Sequence, residues 1–157
     1  MLSGIQPSGS LHLGNYFGMM SRMIRYQKEN ALFSFIVNYH AMTTIQDPSI
    51  LENNTINAAL DFIALGLDPE KSTFWIQADV PQVTEFTWII SNVTNVGLIE
   101  RSTSYKDKIS KGIIPNMGLF SYPILMASDI LCFGGDIVPV GKDQKQHLEM
   151  TRDIAIK

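Results

Sequence analysis

The sequence predicts an α/β protein built on a parallel sheet with flanking crossover helices, and three observations carry that prediction. Four short apolar runs alternate with longer segments of helical pattern, the order a parallel sheet requires. The joint between the first run and the first helix is crowded with glycine and small polar residues, a turn that lets a backbone come close to a ligand. A chain of 157 residues, 45% apolar and 17% charged, is long and greasy enough to bury one core and too apolar to be a disordered tail or a charged coiled coil.

The elements follow in order. Leu2 to Ile5 reads as the first strand, and a helix spans Gly14 to Lys28 after the glycine-rich turn. Leu32 to Val37 reads as the second strand. The next helix, Pro48 to Leu65, has Asp47 as N-cap and Pro48 at its first position, and Gly66 closes it. Thr73 to Ile76 is the third strand and Asp136 to Val140 the fourth. The residues between them number about sixty, too many for one crossover. They read as helices over Gln82 to Val93, Val96 to Tyr105 and Leu119 to Phe133, with a polar link from Lys106 to Asn116 and a helical insertion at about 80–117. A last helical pattern, Gln146 to Ile156, has no stop signal, so the chain reads as the front part of something longer.

Charge and composition exclude several functions. Twelve basic and fifteen acidic residues give a net charge of -3, too little positive field for general polyanion binding. The most apolar stretch, Gly118 to Phe133, contains Asp129 and so falls short of a membrane span. Cys132 is the single cysteine, which excludes a disulfide framework or a zinc cluster and suggests a reducing compartment. No metal site is expected.

The run Ser3-Gly4-Ile5-Gln6-Pro7-Ser8-Gly9-Ser10-Leu11-His12-Leu13-Gly14-Asn15 sets three glycines between strand and helix. On spacing alone it fits an ordinary strand-to-helix connection first and a phosphate-binding turn, in which helix N–H groups meet an anion, second. Its segment Leu11 to Asn15 resembles the His-x-Gly-His signature of class I aminoacyl-tRNA synthetases, with asparagine in the last place. The wider run resembles the bacterial and organellar tryptophanyl-tRNA synthetases, whereas the sister tyrosine enzymes usually keep the final histidine. This resemblance implies that Gln6, Pro7, Ser8, His12, Gly14 and Asn15 surround ATP, and that His12 and Asn15 donate hydrogen bonds to charge developing on its phosphates.

Asp129 is one acid in the otherwise apolar stretch Tyr122 to Phe133. A buried carboxylate costs several kcal/mol unless it caps, pairs or awaits a ligand donor. The stretch resembles the tryptophan enzymes' Tyr-Pro-x-Leu-Met-Ala-x-Asp-Ile-Leu, which implies that Asp129 accepts the indole N–H. Met126, on the same face, would touch the ring, and Tyr122 would lie near the substrate amino group; a core aromatic is the alternative for Tyr122.

Asp136 to His147 reads as strand, glycine turn and polar helix start, and in open parallel sheets ligands bind beyond the carboxyl ends of strands where chain order reverses. Val-Pro-Val-Gly-Lys-Asp-Gln resembles the same family almost unchanged. It implies that Gly141, Lys142 and Asp143 meet the nucleotide, while Gln144, Val138 and Val140 line the amino-acid pocket; helix capping is the alternative for Asp143. His40, after the second strand, resembles a histidine near that pocket, with core packing as its alternative. Lys106 and Lys108 lie in a matching run, where Lys108 would reach the nucleotide or simply face solvent. His147 and Cys132 read as structural.

The resemblance covers the whole chain and implies a Rossmann-type (HUP-like) catalytic domain, incomplete at its C-terminus. The Lys-Met-Ser-Lys-Ser loop and the anticodon-binding helices of the family are absent. The implied function is activation of L-tryptophan with ATP and Mg²⁺, then transfer to tRNA(Trp). A tyrosine-activating relative and a nucleotide- or tryptophan-binding module remain the alternatives. The implied assembly is a homodimer with Phe86 or Trp88 near the interface, and core packing is the alternative for both. A cytoplasmic location is expected, or an organellar one if a leader has been removed.

Overall fold

The computed structural model describes residues 1–9, 11–110, 112 and 114–157, with the side chains of Thr103, Ser104 and Lys108 outside the description. The chain forms two compact units, one of Met1–Val80 with Gly135–Pro139 and one of Pro81–Gly134 with Val140–Lys157.

In the first unit, strands β1 (Leu2–Ile5), β2 (Leu32–Ile36) and β3 (Ser72–Ile76) form a parallel sheet in the order β1-β2-β3. Leu2 faces Phe33 and Leu32 faces Ser72 across the ladders. Alternation along β2 sends Leu32 and Ile36 into a core with Met20, Met23, Ala58 and Phe62. On the opposite face Phe35 stacks on Trp75 at 4.7 Å.

The connection after β1 leads into one helical run made of α1 (Leu13–Asn15), a π-helical segment (Tyr16–Met20) and α2 (Ser21–Tyr26). A short helix α3 (Asn38–Ala41) follows β2. Helix α4 (Pro48–Ala64) begins as the sequence dictates: Asp47 Oδ1 accepts from Ser49 N at 2.9 Å and Ile50 N at 3.1 Å, and Pro48 has no N–H to satisfy. It ends at Gly66, whose φ of 112° an L side chain would resist.

The expected fourth strand is not one. Residues 136–140 join no ladder, and their link to the sheet is the Leu2 amide donating to the Ile137 carbonyl at 2.9 Å. Pro139, which has no N–H, interrupts the alternation a ladder needs. That bond nevertheless puts the segment beside β1, on the edge away from β2. The chain order therefore reverses at β1.

The second unit is helical: α5 (Gln82–Ser91), α6 (Val96–Glu100), α7 (Thr103–Ser110), α8 (Met117–Cys132) and α9 (Lys145–Ala155). Ile90, Ile99, Ile124, Ala127, Met150 and Ile154 form its core, with α8 packed between α5 and α9. Asn116 caps α8 by accepting from Leu119 N at 2.8 Å, and Ser128 Oγ donates to the Val83 carbonyl at 2.7 Å. The single helix expected over Val96 to Tyr105 is instead two, broken at Arg101 and at the fully buried Ser102. Much of the expected polar link is helix α7, held where Tyr105 meets Phe120 edge-on at 5.3 Å. No helix among the described residues is long and apolar enough to cross a membrane.

Candidate active site

The β1–α1 connection is built around a small set of reciprocal hydrogen bonds. Ser8 N donates to the Gln6 carbonyl at 2.9 Å, which folds the chain over the buried Pro7 and leaves Gln6 and Ser8 exposed. His12 is the N-cap of the helical run: extended at φ -132° and ψ 171°, it accepts from Gly14 N through Nδ1 at 3.0 Å. Asn15 closes the box in reverse, its Oδ1 accepting from His12 N at 2.9 Å.

These bonds fix the chemistry of both side chains. Since His12 Nδ1 accepts, the neutral ring carries its proton on Nε2 and offers a donor outward from an exposed position. Since Asn15 Oδ1 is used, its remaining polar group is the NH₂ donor. Gly14 makes the arrangement possible, because a Cβ there would lie 2.8 Å from His12 Cε1 and 2.9 Å from Nδ1. The first turn holds no acidic residue to compete with an anion. His12 and Asn15 thus each present a donor.

His40 sits half-buried on α3, at the carboxyl end of β2. That short helix is tied to the turn after β3 by two crossed bonds. Tyr39 N donates to Oε1 of the fully buried Gln77 at 3.0 Å, and Ala78 N donates to Asn38 Oδ1 at 3.2 Å.

In the second unit, α8 carries Tyr122 and Met126 half-buried and Asp129 at 4% exposure, one turn apart along a single face. The Cys132 thiol, three residues on, is pushed up by its partial burial and then by the Asp129 carboxylate. Gly141, Lys142 and Asp143 are exposed at the start of a single 3₁₀ turn, Lys142–Gln144, that leads into α9. Asp143 makes no cap there; its Oδ2 accepts from Gln144 Nε2 at 2.6 Å.

Gln144 continues a polar chain. Its Oε1 lies 2.8 Å from His147 Nδ1, and His147 Nε2 lies 2.9 Å from the Tyr122 hydroxyl. Tyr122, Gln144 and Asp143 are therefore brought together, and the group joining them is a histidine that sequence reasoning set aside as structural. Its position three residues after Gln144, on the same face of a helix, was the signal that could have found it. The π-helical segment behind Asn15 was equally unforeseen; such segments occur frequently at functional sites.

The remaining expected residues divide between the units. Val138 belongs to the first and Val140 to the second, both half-buried. Lys106 is exposed on α7; Lys108 is on the same helix, but its side chain lies outside the described residues. Phe86 packs against the second unit's core, whereas Trp88 is 73% exposed beside Ile89 at 61%. No group of three His, Cys, Asp or Glu among the described residues could hold a metal ion.

Comparison with known proteins gives consistent findings. The sequence profile of the family described as tRNA synthetases class I (W and Y) matches residues 1–157. The tryptophan--tRNA ligase of Fusobacterium nucleatum is 59% identical over 156 residues, which is 99% of this chain and 48% of that protein. That of Campylobacter jejuni is 56% identical over 157 residues, 100% of this chain and 49% of the other. Among solved structures, C. jejuni tryptophanyl-tRNA synthetase complexed with ADP and tryptophan matches at a TM-score of 0.96 and 56% identity, covering 99% of this chain and 49% of that one. Archaeoglobus fulgidus tyrosyl-tRNA synthetase complexed with L-tyrosine matches at a TM-score of 0.83 and 22% identity, covering 99% of this chain and 50% of that one, a likeness of fold alone. The chain spans about half the length of the curated relatives it matches.

Proposed function

This chain belongs to the class I tRNA synthetases of the tryptophan and tyrosine family, and on that premise we propose that the protein activates L-tryptophan with ATP and passes it to tRNA(Trp). The observation that carries the reading is the likeness, at a TM-score of 0.96 over 99% of the chain, to a synthetase whose structure holds ADP and tryptophan. Asp129, buried in an apolar helix, supplies the acceptor an indole N–H requires, and Met126 a soft surface for the ring.

The chemistry follows from the groups present. A tryptophan carboxylate has an α-carboxyl pKa of about 3.5 and is ionised at neutral pH, so it attacks the α-phosphorus without a general base. The new C–O–P bond forms as the bond to pyrophosphate breaks, and tryptophanyl-adenylate results. His12 Nε2–H and the Asn15 amide stabilise negative charge on the phosphates. Between Gln6 and Asn15 there is no carboxylate, so this donor set suits phosphate oxygens rather than a metal ion, and Mg²⁺ would arrive on the nucleotide. Gly141, Lys142, Asp143 and Lys108 would attend the rest of the nucleotide. Tyr122, Gln144, Val138, Val140 and His40 would line the amino-acid pocket.

In this reading the chain is the N-terminal part of the catalytic domain with its helical insertion at about 80–117. The signature lysine loop and the anticodon-binding helices would come from elsewhere in the protein, which would act in the cytoplasm. Because Phe86 is turned into the core, Trp88 is the residue proposed for a homodimer interface.

The test is ATP–pyrophosphate exchange by the protein as its gene encodes it, with tryptophan or tyrosine as the amino acid. Exchange that depends on tryptophan supports the reading. Exchange with tyrosine alone, or binding of tryptophan and ATP without adenylate, overturns it.

A further inference from the structure

We propose that His147 is a positioning residue for the amino acid: it turns the Tyr122 hydroxyl and the Gln144 amide so that both present acceptor oxygens to the substrate's α-ammonium group. The inference rests on the proposed amino-acid activation and assigns a role to a residue that does not itself touch the substrate.

The directions of the hydrogen bonds lead to it. Asp143 Oδ2 accepts from Gln144 Nε2 at 2.6 Å, which fixes the amide so that its oxygen, Oε1, faces His147 at 2.8 Å. A carbonyl oxygen only accepts, so His147 Nδ1 carries the proton. In the neutral ring Nε2 is then an acceptor, and the partner 2.9 Å away, the Tyr122 hydroxyl, must donate to it. With its proton committed, the phenol oxygen has only lone pairs left for another partner, and Gln144 Oε1 keeps one as well. Two acceptors held this way suit a cation that donates, and they disfavour a neutral group that needs a donor.

His147 is placed for this task. It is 1% exposed, and its ring meets the Tyr122 ring edge-on at 5.3 Å, so it cannot swing to solvent without leaving a hole. A core histidine with only a packing role would have no need to polarise two side chains in opposite senses.

The experiment compares wild type with His147→Phe and His147→Asn in the protein as its gene encodes it, at pH 8, where an ordinary imidazole is neutral. Exchange kinetics give KM for tryptophan and for ATP, and indole-3-propionate, which lacks the amino group, serves as a competitive probe. His147→Phe should raise KM for tryptophan about tenfold to a hundredfold, as expected when buried polar groups lose a partner. KM for ATP and the inhibition constant of indole-3-propionate should stay within about threefold. Adding Tyr122→Phe to His147→Phe should cost little more, since both remove one arrangement. If His147→Phe does not fold, His147→Asn, which keeps a donor near the Nδ1 position for Gln144 but is too short to place an acceptor at the Nε2 position for Tyr122, must show the same selective loss. Parallel loss of tryptophan and indole-3-propionate, or unchanged tryptophan KM, overturns the proposal. A wild-type protein without tryptophan-dependent exchange overturns the functional reading instead, before any variant is compared.

Discussion

Replacing Gly14 by alanine separates the two duties of the β1–α1 connection. The added Cβ would lie 2.8 Å from His12 Cε1 and 2.9 Å from Nδ1, nearer than such atoms sit, so the ring has to rotate away. Rotation breaks the 3.0 Å bond from Gly14 N, and loss of an N-cap costs about 0.5–2 kcal/mol. Alanine in place of glycine in a helix returns up to about 1 kcal/mol. The two nearly cancel, and the melting temperature of Gly14→Ala should move by no more than a few degrees. The rate should not survive so well: a displaced His12 no longer aims Nε2–H at the phosphates, and losing one such donor lowers kcat by about 10²–10³. Pyrophosphate exchange at saturating tryptophan and ATP, run beside thermal melts, measures both quantities. His12→Asn is the control. Asparagine caps well, but its amide donor stops short of the position that Nε2–H reaches, so that variant should be as stable as wild type and still slow. An exchange rate for Gly14→Ala within about fivefold of wild type would refute the assignment of His12 as a phosphate donor.

Three further outcomes are expected. Asp129→Ala should weaken tryptophan by up to about 10⁴ while leaving ATP nearly unchanged, because a site built on a hydrogen bond discriminates strongly; equal losses in the two KM values would make Asp129 structural. Asp129→Asn should also lower the pKa of Cys132, which burial and the Asp129 charge now raise, so alkylation of the exposed thiol at pH 8 should speed up by roughly a few-fold; an unchanged rate would deny that charge any reach to the sulfur. Trp88→Asp, made at a residue 73% exposed, should convert a dimer into a folded monomer by light scattering; an unperturbed dimer removes Trp88 from the interface, and unfolding assigns it to the core.

Where local chemistry decides an element, the sequence was legible. Asp47, Pro48 and Gly66 bound α4 to within a residue, and the three ladder strands fall where short apolar runs stand between helical patterns. Where distant contacts decide, it was not. Residues 136–140 are as apolar as the true strands, yet Pro139 leaves them one bond to β1. Helix α7 is polar enough to resemble a loop, and its Tyr105 finds Phe120 from another helix. The site divides the same way. His12, Asn15 and Asp129 stand out by motif, whereas the direction each donor faces depends on bonds such as Asn15 Oδ1 to His12 N. His147 escaped notice because a histidine on the apolar face of an amphipathic helix is ordinarily packing, and only its partners distinguish it.

The π-helical segment Tyr16–Met20 acts as a phase shifter. Its wider turn accommodates about one residue more than an α turn, and each residue of an α-helix rotates the next by roughly 100°. Upstream lie His12 and Asn15, the groups proposed to face ATP; downstream lie Met20 and Met23, locked in the core. The sequence between them therefore counts one residue longer than a regular helix would need to join the same two faces. Removing one residue there, Gly18 for instance, would let regular winding join the same two faces, whereas winding all of the present residues as a regular α-helix would keep the methionines buried and turn His12 and Asn15 by about a quarter of a revolution. In such a helix the apolar pattern and the chemistry could both be present in composition and still be out of step.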